Sequence, residues 1–193
     1  MKKIITEKLE SIIGTSFNTK GLQQRGVADL IEQKATDLIL ELKSEHIITE
    51  KATSRRSIED VQIKQNNQLY KIDIKSHEST SDFSMPNLIS IDRLKKLYIN
   101  ENNHLIYVFI SYSTTNSSTT IETVKVCYVE NLDWSILAIQ NLGKGQLQIK
   151  NMNNKLILNE NVNREEWVET LRTNALDYYT KLITKIEKLR KEW

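Results

Sequence analysis

Apolar and polar residues alternate along two neighbouring short runs of the chain, Asp60-Val61-Gln62-Ile63 and Tyr70-Lys71-Ile72-Asp73-Ile74-Lys75. A period of two marks half-buried strands. Asn66-Asn67 lies between the runs, and asparagine tolerates the left-handed backbone that a tight hairpin turn requires. With the turn at those residues, Gln65 faces Gln68, and each outward step keeps the register until Asp60 falls opposite Asp73. The two carboxylates then share one face at a Cβ separation of roughly 5 Å. Lys75 follows two residues along that face, while Val61, Ile63, Ile72 and Ile74 point into a core.

Elsewhere the period lengthens. Ile5, Leu9, Ile12 and Ile13 recur at helical spacing over residues 2 to 13, and Gly14 supplies a stop. Gly21 and Gly26 bracket a turn holding Gln23, Gln24 and Arg25, after which Val27, Leu30, Ile31, Leu38, Ile39 and Leu42 form the buried stripe of a second helix. Pro86 leads into a helix bearing Ile91, Leu94, Leu97 and Tyr98. Leu105 to Tyr112 and Val124 to Val129 are apolar and rich in strand formers, and the polar run Ser113 to Thr120 between them predicts an exposed hairpin tip. Leu132 to Ile139 suggests a short helix. Leu147 to Ile149 and Leu156 to Leu158 are short strands about a turn at Asn151 to Asn154. The last helix is the clearest: Asn163 caps it, Glu166 sits at the capping-box position, and Trp167, Leu171, Ala175, Tyr178, Leu182, Ile186 and Leu189 repeat at steps of four and three. Such a stripe is either a dimer seam or a face laid on the sheet.

Composition narrows the classes. A chain of 193 residues with 39% hydrophobic content suits one domain, 1–193, with a sizeable core. No apolar run reaches the ~20 residues of a membrane span, and the first residues lack a long apolar signal segment. Cys127 is the one cysteine, which excludes an internal disulfide and predicts a reducing, cytoplasmic setting. It lies in an apolar strand and reads as a small core residue rather than a nucleophile. A net charge of +2 does not by itself point to nucleic acid. Histidines at 46, 77 and 104 have no metal-ligand spacing.

Two facing carboxylates repel, so the hairpin predicts a cation between Asp60 and Asp73 with Lys75 beside it. The order Asp60, twelve intervening residues, then Asp73-Ile74-Lys75 resembles the PD-(D/E)xK nuclease motif. The flanking sequence resembles type II restriction endonucleases in particular: Asp82-Phe83-Ser84-Met85-Pro86-Asn87-Leu88-Ile89-Ser90 after the motif, and Asn141 to Lys150 later. The likeness covers residues 20 to 150. Glu59 stands where the motif has proline, which leaves Glu59 against Asp60 as the first ligand; side-chain parity on the strand favours Asp60.

The resemblance implies an α/β fold with a restriction-endonuclease-like mixed central sheet of about five strands and helices on both sides. It implies Mg2+ held by Asp60, Asp73 and the carbonyl of Ile74, with Lys75 orienting or deprotonating the attacking water. An acid on the preceding helix often joins such sites, and Glu32 is the candidate, with Asp29 and Glu41 as competitors. The expected activity is hydrolysis of double-stranded DNA at a short, palindromic sequence, leaving 5′-phosphate ends, by a homodimer. Candidate DNA contacts are Gln23, Gln24, Arg25, His77, Ser84, Asn87, Ser90, Lys144, Gln146 and Gln148; glutamine pairs bidentately with adenine, and lysine reaches guanine or phosphate. The Gly143-Lys144-Gly145 turn is too short for a phosphate-binding P-loop. A repair or junction-resolving nuclease, and a DNA-binding module of the same fold that does not cut, stay open as alternatives.

Overall fold

In the computed structural model, residues 1–54, 57–79, 87–140, 145–150 and 156–192 are described. Ser84, Pro86, Gly143, Lys144 and the turn expected at Asn151 to Asn154 lie outside them. A six-stranded mixed sheet runs in the order β1-β7-β6-β4-β3-β2, formed by β1 (Ser16–Asn18), β2 (Ile48–Lys51), β3 (Val61–Gln65), β4 (Gln68–Glu78), β6 (Asn103–Thr115) and β7 (Ser118–Tyr128). Within it β4 and β6 are parallel and the other neighbours antiparallel. A second sheet of three strands, β5-β9-β8, uses Asn87–Ser90, Gln146–Ile149 and Leu137–Gln140. Four helices flank them: α1 (Lys2–Glu10), α2 (Gln24–Leu40), α3 (Ile91–Leu97) and α4 (Arg164–Lys191).

The hairpin forms in the register expected from the turn. Val61 pairs with Ile72, Ile63 with Tyr70 and Gln65 with Gln68. Asn66 and Asn67 take φ angles of 48° and 61°, the left-handed pair that a two-residue hairpin turn demands. β4 and β6 are covered on both faces, as near-continuous burial along a central strand implies. Ile72, Ile74, Ile106, Val108 and Ile110 pack with Ile5, Leu9, Ile31 and Ile39 of α1 and α2. On the opposite side Leu105, Tyr107, Phe109 and Cys127 join Leu94, Leu97, Leu147 and Trp167. Burial of this kind stabilises by roughly 1.5–3 kcal/mol per large aliphatic side chain.

The structure differs from the sequence reading in four places, and the hairpin tip expected at residues 113 to 120 is not among them: Ser113 pairs with Thr120 and Thr115 with Ser118, so the ladder closes around Asn116, whose φ is 56°. Threonines suit paired strands, and a polar run says nothing against pairing at a sheet's exposed end. Leu132 to Ile139 is not a helix but a 3-10 turn at Trp134–Ile136 followed by β8; a short apolar run cannot be separated into helix or strand by periodicity. Of residues 156 to 158, only Leu158 pairs, in an isolated bridge with Leu132. Leu30 is 40% exposed, because Val27, Ile31, Ala35 and Ile39, at strict four-residue steps, take the buried stripe of α2. That helix also begins earlier than expected, with Gln24 and Arg25 in its first turn.

Asn67→Val forces a β-branched residue into the left-handed region. It should lower stability by about 1–2 kcal/mol in urea unfolding, with Asn67→Gly at or above wild type.

Candidate active site

β3 is shorter than the strand it pairs with. Its ladder ends at the Val61–Ile72 pair, while β4 continues to Glu78. At the next position the regular pattern breaks: the Asp60 N–H donates to the Ile72 carbonyl at 2.8 Å, and the Asp60 carbonyl accepts from Ala52 N–H at 2.9 Å. Beyond that point, among the described residues, no strand lies beside the edge of β4 that faces β3. N–H groups two residues apart point to the same edge, so those of Ile74 and Ser76 need other acceptors.

Two carboxylates supply them. Asp60 Oδ2 accepts from Ile74 N–H at 2.8 Å, and Glu32 Oε1 accepts from Ser76 N–H at 3.0 Å and from Ser76 Oγ at 2.9 Å. Glu32 reaches this edge from α2 because its neighbour Ile31 is fully buried against the sheet and fixes the helix there. Of its competitors, Asp29 is exposed on the same cleft and Glu41 is paired with Lys8 at 2.7 Å. A strand residue directs its carbonyl to the same edge as its N–H, so the Ile74 carbonyl also belongs to this bare edge.

Asp73 occupies the adjoining face of β4 and is 6% exposed. Lys75 Nζ lies 2.7 Å from its Oδ1 and is itself partly open to solvent. Burial pushes the Asp73 carboxyl up to about 7; Lys75 opposes that rise, and the negative charges of Asp60 and Glu32 add to it. Glu32 is raised for the same first reason, with Ser76 and Lys75 opposing and Asp60 adding. Three acids therefore feel one another around a single ammonium. Glu59 is engaged elsewhere, accepting from Lys71 Nζ at 3.0 Å. A cleft of about 440 Å³ opens beside Glu32 and Asp60, with Asp29, Lys51, Ser57 and Glu59 also on its walls.

Among the described residues no three histidines, cysteines or acids converge on one point. Asp60, Asp73 and the Ile74 carbonyl are the groups that could hold a hard cation keeping several waters.

The candidate DNA contacts fall into two groups. Gln24, Arg25 and His77 line one hollow of about 240 Å³ together with Ser76, and Gln23 is exposed at the N-cap of α2. Asn87, Ser90, Gln146 and Gln148 meet on the β5–β9 ladder, where Asn87 pairs with Gln148 and Ser90 with Gln146. Gln148 is buried and its amide donates to Asn87 Oδ1, while Ser90 Oγ caps α3 by accepting from Arg93 N–H. The alternation that suggested two outward amides thus leaves Gln146 half-buried and Gln148 turned inward. Burial lowers the His77 pKa. Cys127 is fully buried, and its thiol is pushed up to about 12, which makes it inert.

Sequence reasoning missed Ser76, which ties Glu32 to β4, and Tyr107, which is paired with Asp73 in the β4–β6 register and whose buried hydroxyl has no hydrogen-bond partner among the described residues. Neither carries a sequence signal; one follows from the helix–strand contact and the other from pairing across fifty positions of chain or fewer.

A mixed sheet with a bare central-strand edge, acids gathered at that edge and helices on both faces defines a restriction-endonuclease-like fold. Among solved structures, the chain is similar to "NlaIV restriction endonuclease", with a TM-score of 0.62 at 13% identity over 89% of this chain and 78% of that one. At that identity the likeness is one of fold. No protein-family model matches the chain, and no curated protein does.

The raised carboxyl has a consequence for stability. A folded-state value above the ordinary 3.8 means the folded protein binds this proton more tightly than the unfolded chain. The contribution of Asp73 is therefore complete in acid, below the ordinary value, and is lost as pH rises through about 7. Asp73→Asn removes the titration. Without divalent cations, its stability advantage over wild type should grow from pH 4 to pH 8 by on the order of a few kcal/mol in urea unfolding.

Proposed function

We propose that the protein is a type II site-specific deoxyribonuclease that hydrolyses double-stranded DNA with Mg2+, cutting at a short palindromic sequence to leave 5′-phosphate ends. The observation that carries this reading is the bare edge of β4, where Asp60 and Glu32, both on the wall of an open cleft, accept from the Ile74 and Ser76 amides while Asp73 pairs with Lys75 on the adjoining face. The fold likeness to a protein named as a restriction endonuclease supports it.

Asp60, Asp73 and the Ile74 carbonyl would hold a divalent cation, which when bound would supply positive charge against the scissile phosphate and acidify water. Lys75 orients the attacking water and stabilises charge developing on the phosphate oxygens. Glu32, anchored through Ser76, holds the carboxylate cluster at the strand edge and adds to its negative field. Gln23, Gln24, Arg25 and His77 beside β4, and Asn87, Ser90 and Gln146 on the small sheet, are the proposed DNA-contacting set, with Gln148 acting through Asn87. Ser84 and Lys144 stay in the proposed set from sequence. A twofold-symmetric target implies two copies, each a single domain, with their sites related by a twofold axis.

Incubation with a sequenced phage genome and Mg2+ should yield discrete fragments whose mapped ends share one sequence. Lys75→Ala should lower cleavage by about three orders of magnitude or more while sparing Ca2+-supported DNA binding. Nicking of four-way junctions with intact plasmid would overturn sequence-specific cutting, and no Mg2+-dependent cleavage of any DNA would overturn the nuclease reading. Since the cation needs Asp73 ionised, its affinity should fall about tenfold per pH unit below roughly pH 7, measured by calorimetric titration of the wild-type protein without DNA.

A further inference from the structure

α4 has two unlike halves. In the first, Trp167, Leu171 and Ala175 are buried, and the Trp167 indole donates to the Leu132 carbonyl at 3.0 Å. Past Tyr178 and Tyr179, which pack close to Gly145, the helix runs on to Lys191 with only Leu182 half-buried. That stretch is nevertheless apolar along one side. Leu176, Ile183, Ile186 and Leu189 are 63%, 56%, 55% and 46% exposed. Leu176, Ile183 and Ile186 follow steps of seven and three, the spacing of a seam between paired helices. A helix of about 12 residues is marginal in water without packing, so this half is short of a partner.

A place for such a ridge exists on the same molecule's surface. α3 and the first half of α4 enclose a groove of about 700 Å³ with Ile91, Val168, Leu171 and Ala175 among its walls and Glu165 and Glu169 on its α4 side. Ile99, 81% exposed, stands at its rim. α4 cannot fold back into it, because the helix is continuous. A second copy can reach it.

Charge selects the direction. Residues 164–177 carry Glu165, Glu166, Glu169 and Asp177 against Arg164 and Arg172, net −2. Residues 178–192 carry Lys181, Lys185, Lys188, Arg190 and Lys191 against Glu187 and Glu192, net +3. A parallel pair sets like against like, whereas an antiparallel pair sets each acidic half against a basic one. Apolar ridge, groove and charge halves are then self-complementary about one twofold axis, which is the requirement of a closed dimer.

We propose that two copies of this chain pair antiparallel through α4, crossing near Leu176, with each C-terminal half seated in the other's α3–α4 groove and Arg190 set against Glu165. The interface extends the twofold assembly proposed above by naming its surface, and it rests on α4 rather than on the nuclease chemistry. Light scattering after size exclusion and sedimentation equilibrium should show a dimer at micromolar concentration. Ile183→Glu should raise the dimer dissociation constant by about two orders of magnitude with an unchanged circular dichroism spectrum. Glu165→Lys should weaken the dimer, and adding Arg190→Glu in the same chain should restore it. Within one chain those two positions are roughly 37 Å apart along the helix and cannot compensate for each other, so rescue reports pairing between copies. A monomeric wild type, or a dimer insensitive to Ile183→Glu and to the charge reversal, overturns the interface. Cleavage by a monomer would leave the nuclease reading standing, and a dimer without cleavage would leave the interface standing.

Discussion

The structure turns on a difference in strand length. β3 pairs with β4 only as far as Val61 and Ile72, yet β4 runs to Glu78 in the middle of the sheet. A central strand stripped of its neighbour leaves N–H groups that cost free energy unless something accepts from them. Here carboxylates do so, Asp60 at Ile74 and Glu32 at Ser76. Had β3 continued, the same backbone groups would be paired, and there would be neither a reason for acids to gather nor a cleft to receive a ligand. The electrostatic consequence lies next to the cause. Asp73, buried on the adjoining face, is driven toward its neutral form by desolvation and by those two neighbours, and Lys75 offsets the drive only in part.

Rigidity for this arrangement comes from the two cores. β4 and β6 are sandwiched, with the isoleucines of one face under α1 and α2 and the aromatic residues of the other under the small sheet and α4. Glu32 inherits its position from Ile31, Ala35 and Ile39, which hold α2 to the sheet at four-residue steps. A site built in this way moves with the core, so its acids cannot relax apart to relieve their repulsion.

The hairpin was the most legible part of the chain, because period-two alternation and an Asn-Asn turn point to the same register, and from Val61 to Ile72 nothing in the tertiary structure overrides it. Asn163 and the first turns of α4 were equally plain, since a cap and a stripe are local features. What escaped the sequence is non-local. Nothing around Ser57 to Asp60 announces that the ladder ends at Val61. As a result the strict facing of residues 60 and 73 gives way to an Asp60 side chain turned onto the Ile74 amide. The inward turn of Gln148 depends on Asn87, 61 residues away, and so looked like an outward amide. Glu32 was placed through the family resemblance; from the helix alone, Asp29 and Glu41 had similar standing until Ser76 and Lys8 supplied partners to two of the three.

Two requirements remain unmet within a single copy, and they differ in kind. The acids at the β4 edge outnumber the ammonium of Lys75 beside them, and the ridge on α4 lacks apolar cover. Electrostatic shortage is felt over several ångströms and is weakened by salt; apolar shortage is felt on contact and is strengthened by excluded salts such as sulfate. Their locations differ as well: Glu32 and Asp60 lie at the α2 side of the sheet, whereas α4 packs on the β8 side. A partner that covers α4 therefore has no need to enter the acidic cleft, and a cation that settles the cleft has no direct hold on α4. Any coupling between them must pass through β4, β6 and the second core, where Tyr107 stands beside Asp73 with a buried hydroxyl that has no partner among the described residues.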